Sequence, residues 1–139
     1  MGIPSMTNRH ASGVLDTCTY LDLDVLDPDA LPKLPEITAI TLAELNQGVA
    51  MAKDAVTRSA RSEQLGAAIV DFDPLPFDED AATRYGTLVA LTMAAKRDSE
   101  PRRMDLLIAA IASARGLPLY TRNGKDFRGL ESMLEVVAI

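Results

Sequence analysis

Histidine and cysteine are almost missing from this chain. His10 and Cys18 are single occurrences among 139 residues. One cysteine excludes a disulfide framework and a cysteine-built zinc cluster. One histidine, set in a polar N-terminal stretch, leaves no placed imidazole for a Ser-His-Asp or Cys-His nucleophile. The eight glycines form neither GxGxxG nor GxxxxGK[ST], so the common nucleotide-binding loops are absent. No apolar run approaches the ~18–20 residues that span a bilayer. Residues 1–12 carry no apolar signal core, so a cytoplasmic protein without a membrane partner is expected. An excess of basic charge is lacking too: 14 Lys and Arg face 20 Asp and Glu, a net charge of −6. That balance does not advertise nucleic-acid binding, although local patches and bound cations can reverse the field.

What is present suits an ordinary globular chain, with 47% hydrophobic and 24% charged residues. The length favours one domain that buries roughly two-thirds of its unfolded surface without staples. An N-terminal tail is expected at 1–12, open in part to a cloning origin, and a single domain at 13–139. Residues 14–16 read as a short buried strand ending in an acid. Residues 18–23 either start a helix or continue the strand. The segment 22–32, with four aspartates and two prolines, reads as an acidic connector. Residues 36–40 look like a second strand, and Thr41 opens a helical stretch to Ala52.

Residues 58–68 continue helical, 69–72 have β character, and 73–76 read as a turn. Residues 78–97 show helical spacing. Residues 98–101 are expected to cap a further helix, with Pro101 in its first turn. Residues 104–114 are almost wholly apolar, so that helix should be buried on most sides, with Gly116 as its C-cap. Residues 117–121 form a strand, Asn123-Gly124 a turn, and 134–139 an edge strand. Strands alternating with helices point to an α/β fold, a three-layer α/β/α sandwich around a mainly parallel sheet.

Four acids fall at element ends. Asp16 directly follows a strand, where open α/β sheets bind ligands, and it could equally cap a helix. Glu44 stands three residues after Thr41, and Thr41-Leu-Ala-Glu44 makes a good capping box. Asp105 is the lone acid in the apolar helix, where an unpaired buried carboxylate is costly. Its nearness to the helix start offers an ordinary explanation. Asp126 follows the last core strand and could cap a short helix. Clustered carboxylates repel unless cations neutralise them. Carboxylates without histidine are the ligand set for magnesium or manganese.

The motifs Val14-Leu15-Asp16-Thr17, Thr41-Leu-Ala-Glu44-Leu45, Asp105-Leu-Leu-Ile-Ala109-Ala110 and Thr121-Arg-Asn123-Gly-Lys-Asp126-Phe127 occur in this order. In order, spacing and length they resemble PIN-domain ribonucleases. The similarity is greatest to the VapC-type toxins of prokaryotic type II toxin–antitoxin pairs, and it covers about residues 13–139. The resemblance implies a PIN-like fold and endoribonuclease activity. It implies one or two Mg²⁺ or Mn²⁺ ions on Asp16, Glu44, Asp105 and Asp126, hydrolysing RNA phosphodiesters to leave a 5′ phosphate. Asp16, Glu44 and Asp105 match the three core acids, and Asp126 the more variable fourth. Thr17 matches a small hydroxyl residue after the first acid and Asn123 the polar position before the fourth; by their place, Thr121 and Asn123 could position waters or one of the acids, or simply serve the turn. Two departures stand out: Cys18, where a serine or other small residue is common, and the unusually acidic 22–29 segment.

The resemblance also implies a cognate antitoxin that covers the site, and a homodimer. Apolar stretches at 49–52 and 88–93 could supply the grooves or simply pack the core. Arg102, Arg103, Arg122, Lys125 and Arg128 surround the acids and could contact RNA phosphates. Single-stranded or looped RNA suits such a site better than duplex. Two other readings remain. One is a PIN-like module that binds RNA or protein without cutting. The other is a haloacid-dehalogenase-like phosphatase, for which Asp22-Leu-Asp24 would have to follow a buried strand.

Overall fold

The computed structural model describes residues 10–139. The expected tail therefore lies outside the described residues over 1–9. Its remainder is tied down: the carbonyls of His10 and Ala11 accept from Lys33 and Leu34 amides, and strand β1 (Ser12–Leu15) begins one residue before the expected domain boundary. Around β1 lie β2 (Leu34–Glu36), β3 (Leu119–Thr121) and β4 (Val136–Ala138). The sheet order is β2-β1-β3-β4, and every pairing is parallel. Five α-helices complete the described chain: α1 (Thr17–Leu21), α2 (Ala39–Ala50), α3 (Ala55–Asp71), α4 (Glu79–Ala94) and α5 (Arg103–Arg115).

Strand side chains alternate between faces, and the sequence supplies apolar groups for both. Val14 and Leu119 join Ala81 and Leu88 of α4 and the buried run Ile108–Ala112 of α5. Leu15 and Tyr120 face the opposite way, against Leu23, Leu26 and Leu31. That second face is covered by α1 and the 3-10 turns Leu23–Val25 and Pro28–Ala30 of the acidic connector. A third cluster of Tyr20, Ile37, Leu45 and Ala68 joins α1 to the α2–α3 hairpin. The result is the expected α/β sandwich, with a sheet that is parallel throughout.

Two glycines are required where they stand. A Cβ on Gly13 would come within 2.5 Å of the Tyr120 ring, so β1 can lie against that ring only without one. Gly116 has φ 66, and its amide and that of Leu117 bond to the Ser113 and Ala112 carbonyls. This is a Schellman end, in which the left-handed residue is normally glycine.

Several local expectations are corrected. The second strand lies at Leu34–Glu36, earlier than 36–40, because its register is set by pairing Leu34 with Ser12. Helix α2 then starts at Ala39, capped by Thr38, whose hydroxyl accepts from the Thr41 amide at 3.2 Å. The Thr41–Glu44 capping box therefore does not form. Ile69 and Val70 are not strand but the exposed end of α3, at 59% and 82% exposure. Helix propagation from the packed Leu65 and Ala68 overrides their β propensity. Pro101 precedes α5 instead of entering it, and no side chain caps that helix. Asp98 instead closes a local turn, accepting from the Glu100 amide and, through its carbonyl, from Arg102.

Candidate active site

Topology fixes where a site can form. From β1 the chain moves to β2 on one side, then crosses back to β3 and β4 on the other. The sheet order therefore reverses between β1 and β3, and ligands in such sheets bind outside the carboxyl ends of the strands at that point. Asp16 follows β1 there, and Thr121 ends β3 there.

Asp16 is buried and caps α1. Its Oδ1 accepts from the Thr19 amide at 2.9 Å, and its Oδ2 from the Thr121 hydroxyl at 2.6 Å. The Thr121 oxygen in turn accepts from the Asn123 amide at 2.9 Å. Asn123 thus contributes through its backbone, while its side chain is exposed. Each Asp16 oxygen keeps a lone pair for a further partner.

Glu44 is held from the other side. Thr17 donates to Glu44 Oε1 at 2.6 Å, so the Thr41 hydroxyl, 2.9 Å away, must donate to Thr17. Thr41 is thus the far end of a relay that orients Glu44, in place of the helix cap expected of it. Asp105 projects from the first turn of α5, which packs on α2. Burial first, then the charges of Asp16, Glu44 and Asp126, push its carboxyl up to about 6; Arg102 opposes them. Burial, then the charges of Asp16, Asp105, Glu44 and Asp22, raise the Cys18 thiol, so Cys18 is no ready thiolate. Asp126 sits in the 3-10 turn Gly124–Phe127, 3.8 Å from Arg97.

Asp105 therefore feels three acids that stand on three other elements. Among the described residues, no three His, Cys, Asp or Glu side chains are gathered to hold an ion by themselves. A cleft of about 510 Å³ opens beside Thr17, Glu44 and Asp105 and runs to Gln47, Arg61 and Gln64.

The basic residues are less uniform than their sequence spacing suggests. Arg122 is paired with Asp22 at 2.8 Å, and Arg103 with Glu100 at 3.5 Å. Arg102 donates to the Asp98 carbonyl, and Arg128 to that of Lys125. Arg97 was not legible as a site residue, because it belongs to no motif and reaches Asp126 only through the fold. Leu88 and Ala52 are core, whereas Met51 and Met93 of the same stretches are exposed. The phosphatase reading is overturned: Asp22 caps the end of α1 and Asp24 lies in an exposed 3-10 turn, so neither follows a strand.

No family model matches the chain. Ribonuclease VapC5 of Mycobacterium tuberculosis is 35% identical over 138 residues, covering 96% of this chain and 98% of that protein. The crystal structure of VapBC-5, a member of the VapBC family of toxin-antitoxin systems from the same organism, is similar at a TM-score of 0.81. It is 34% identical and covers 93% of this chain and 99% of that one. A toxin-antitoxin complex from Klebsiella pneumoniae is similar at a TM-score of 0.61 and 27% identity, covering 91% and 96%. With identity at that level over nearly the whole of both chains, and with the same fold, the protein belongs to the VapC family of ribonucleases.

Proposed function

We propose that the protein is a metal-dependent endoribonuclease, the toxin of a toxin–antitoxin pair, acting in the cytoplasm. The observation that carries this reading is that Asp105 feels the charges of Asp16, Glu44 and Asp126, with Asp16 at the sheet's reversal point. Like charges so placed, one with its carboxyl raised to about 6, favour a divalent cation among them. The donor set fits Mg²⁺ or Mn²⁺, since every donor is a carboxylate oxygen. Mg²⁺ binds through one or two carboxylates together with water and substrate phosphate, so a ready-made cage is not needed.

Asp16, Glu44 and Asp105 would hold the ion, and Asp126 would extend the site. When bound, one or two such ions supply positive charge to the phosphodiester and acidify water at the site. The chain's own residues do the placing. Thr121 and the α1 amide fix both oxygens of Asp16, and the Thr41–Thr17 relay fixes Glu44. Arg102 and Arg103 at the start of α5, with Arg122, Lys125 and Arg128 beyond β3, would contact phosphates on either side of the cut. Residues 13–139 are taken as one domain.

A cognate antitoxin fits the relatives' toxin-antitoxin complexes. Exposed Met51, Val56 and Met93 give protein contacts apolar footing, for the antitoxin or for a second copy in a homodimer.

The test is cleavage of cellular RNA by antitoxin-free protein with Mg²⁺ or Mn²⁺, with EDTA, and beside Asp16→Asn. Discrete products that need the ion and vanish in the variant are expected. Equal cleavage by folded Asp16→Asn would remove the reading.

A further inference from the structure

Arg97 lies just beyond the end of α4, outside every motif in the sequence. Helix α4 closes with the Lys96 amide on the Met93 carbonyl at 2.9 Å and the Arg97 amide on the Thr92 carbonyl at 3.1 Å. This is a Schellman end, with Lys96 at φ 60 in the left-handed place that glycine usually takes. The turn sends the Arg97 side chain toward the segment that carries Asp126. There Nη1 donates to the Lys125 carbonyl, and Nη2 stands 3.8 Å from Asp126 Oδ1.

Two features distinguish this contact. The Arg97 side chain is only 15% exposed, against 37%, 58% and 43% for the arginines paired with Asp80, Glu100 and Asp22. At 3.8 Å it is also beyond hydrogen-bond reach of the carboxylate while well inside coulombic reach. The guanidinium therefore offsets the charge of Asp126 without taking its lone pairs. The turn has its own anchors: Phe127 and Leu130 are buried, and the Asp126 amide bonds to the Asn123 carbonyl at 2.9 Å. What Arg97 adds is charge. Among the described residues, Asp16, Glu44 and Asp105 form no such pair.

We propose that Arg97 is an internal counter-cation that sets how tightly the Asp126 end of the site holds a divalent cation. This rests on the reading of Asp126 as a cation ligand. An ion arriving at Asp126 meets a fixed positive charge, tied in place through the Lys125 carbonyl, so binding there is weakened. The Asp16–Glu44–Asp105 end has no ion pair of this kind among the described residues, and the charge of Arg102 there only partly offsets burial and three carboxylates at Asp105. The site would thus hold a cation more tightly at the Asp16–Glu44–Asp105 end than at the Asp126 end.

The experiment is Mn²⁺ binding to metal-free protein without RNA, read from the paramagnetic resonance of free Mn²⁺. The proteins are the unaltered chain, Arg97→Met, Arg97→Gln and Arg97→Lys, each measured with and without Asp126→Asn. The glutamine keeps a donor for the Lys125 carbonyl and loses the charge, so it stands in if the methionine variant folds poorly. Loss of the charge should tighten the weaker phase of binding by about tenfold, the scale of one partly shielded charge pair. Arg97→Lys should stay within about twofold, because the charge remains. In the Asp126→Asn background the tightening should vanish. Weaker or unchanged binding in folded Arg97→Met and Arg97→Gln would make Arg97 a structural clamp and overturn the inference. Tightening that survives Asp126→Asn would overturn it as well. A chain that binds no Mn²⁺ at any concentration would instead remove the metal reading, and this inference with it.

Discussion

Asp105 carries the sharpest conflict in the molecule. Its carboxyl is half-buried on an otherwise apolar helix and faces the charges of Asp16, Glu44 and Asp126. Its folded value of about 6 lies above the unfolded value near 3.9. The folded state therefore binds the proton more tightly, and stability from this group falls as pH rises through that window. Above it, the charged form is a standing penalty. Asp105→Asn removes the penalty, so in metal-free buffer it should raise the melting temperature at pH 7.5. The gain should shrink on acidification and disappear near pH 4, where the native side chain is itself protonated. Calorimetry at several pH values checks this, and a variant that loses stability at pH 7.5 would show that the Asp105 charge stabilises the fold. Cleavage should be abolished in the same variant. Thr121 is the converse case. Thr121→Val leaves the Asn123 amide and one Asp16 oxygen without partners, at a cost of about 1–3 kcal/mol in a chemical melt.

At the scale of elements, the two Schellman ends invite comparison. Helix α5 ends on Gly116 at φ 66, whereas α4 ends on Lys96 at φ 60. A side chain in the left-handed region costs roughly 1–2 kcal/mol, part of which glycine returns through its freer unfolded state. Lys96→Gly should therefore stabilise by about 0.5–1 kcal/mol and raise the melting temperature by about 2–3 °C. No gain would mean that the lysine's own contacts offset the strain. The same comparison shows what sequence could reveal. Gly116 is visible as a helix stop because glycine at that place has one common meaning. Lys96 gives no such sign, so the turn that delivers Arg97 to Asp126 was invisible. The four candidate acids stand out in the sequence because each follows a strand or a helix start within a motif that carries the family resemblance. The source of their order was not. Thr41 suggested a cap, yet Thr38 caps α2 and frees Thr41 for the Thr17 relay. Ile69 and Val70 suggested a strand, yet the packing of Leu65 and Ala68 carried the helix past them.

For the molecule as a whole, the question is how a chain of net charge −6 approaches a polyanion. On the proposed reading, part of the answer is distribution, since Arg102, Arg103, Arg122, Lys125 and Arg128 lie on the two segments that carry Asp105 and Asp126. Part is the occupancy of those cations. Each phosphate contact on a single strand releases counterions and adds about 0.7 to the slope of log affinity against log salt. Arg103 is 58% exposed, and its partner Glu100 is 77% exposed, so that pair is worth little and gives way readily to phosphate. Arg122 holds Asp22 at 2.8 Å with both side chains near 43% and 44% exposure, a tighter and less exposed competitor. RNA binding in the cleavage-dead Asp105→Asn background, measured from 50 to 300 mM salt, should separate them. Arg103→Ala should flatten the slope by about 0.7–1. Arg122→Ala should flatten it by less, because Asp22 already claims that charge. Asp22→Asn should steepen the slope and tighten binding, because it releases Arg122 and removes one negative charge from the acidic connector. If Asp22→Asn leaves both unchanged, Arg122 lies off the RNA path, and the basic contacts reduce to the start of α5.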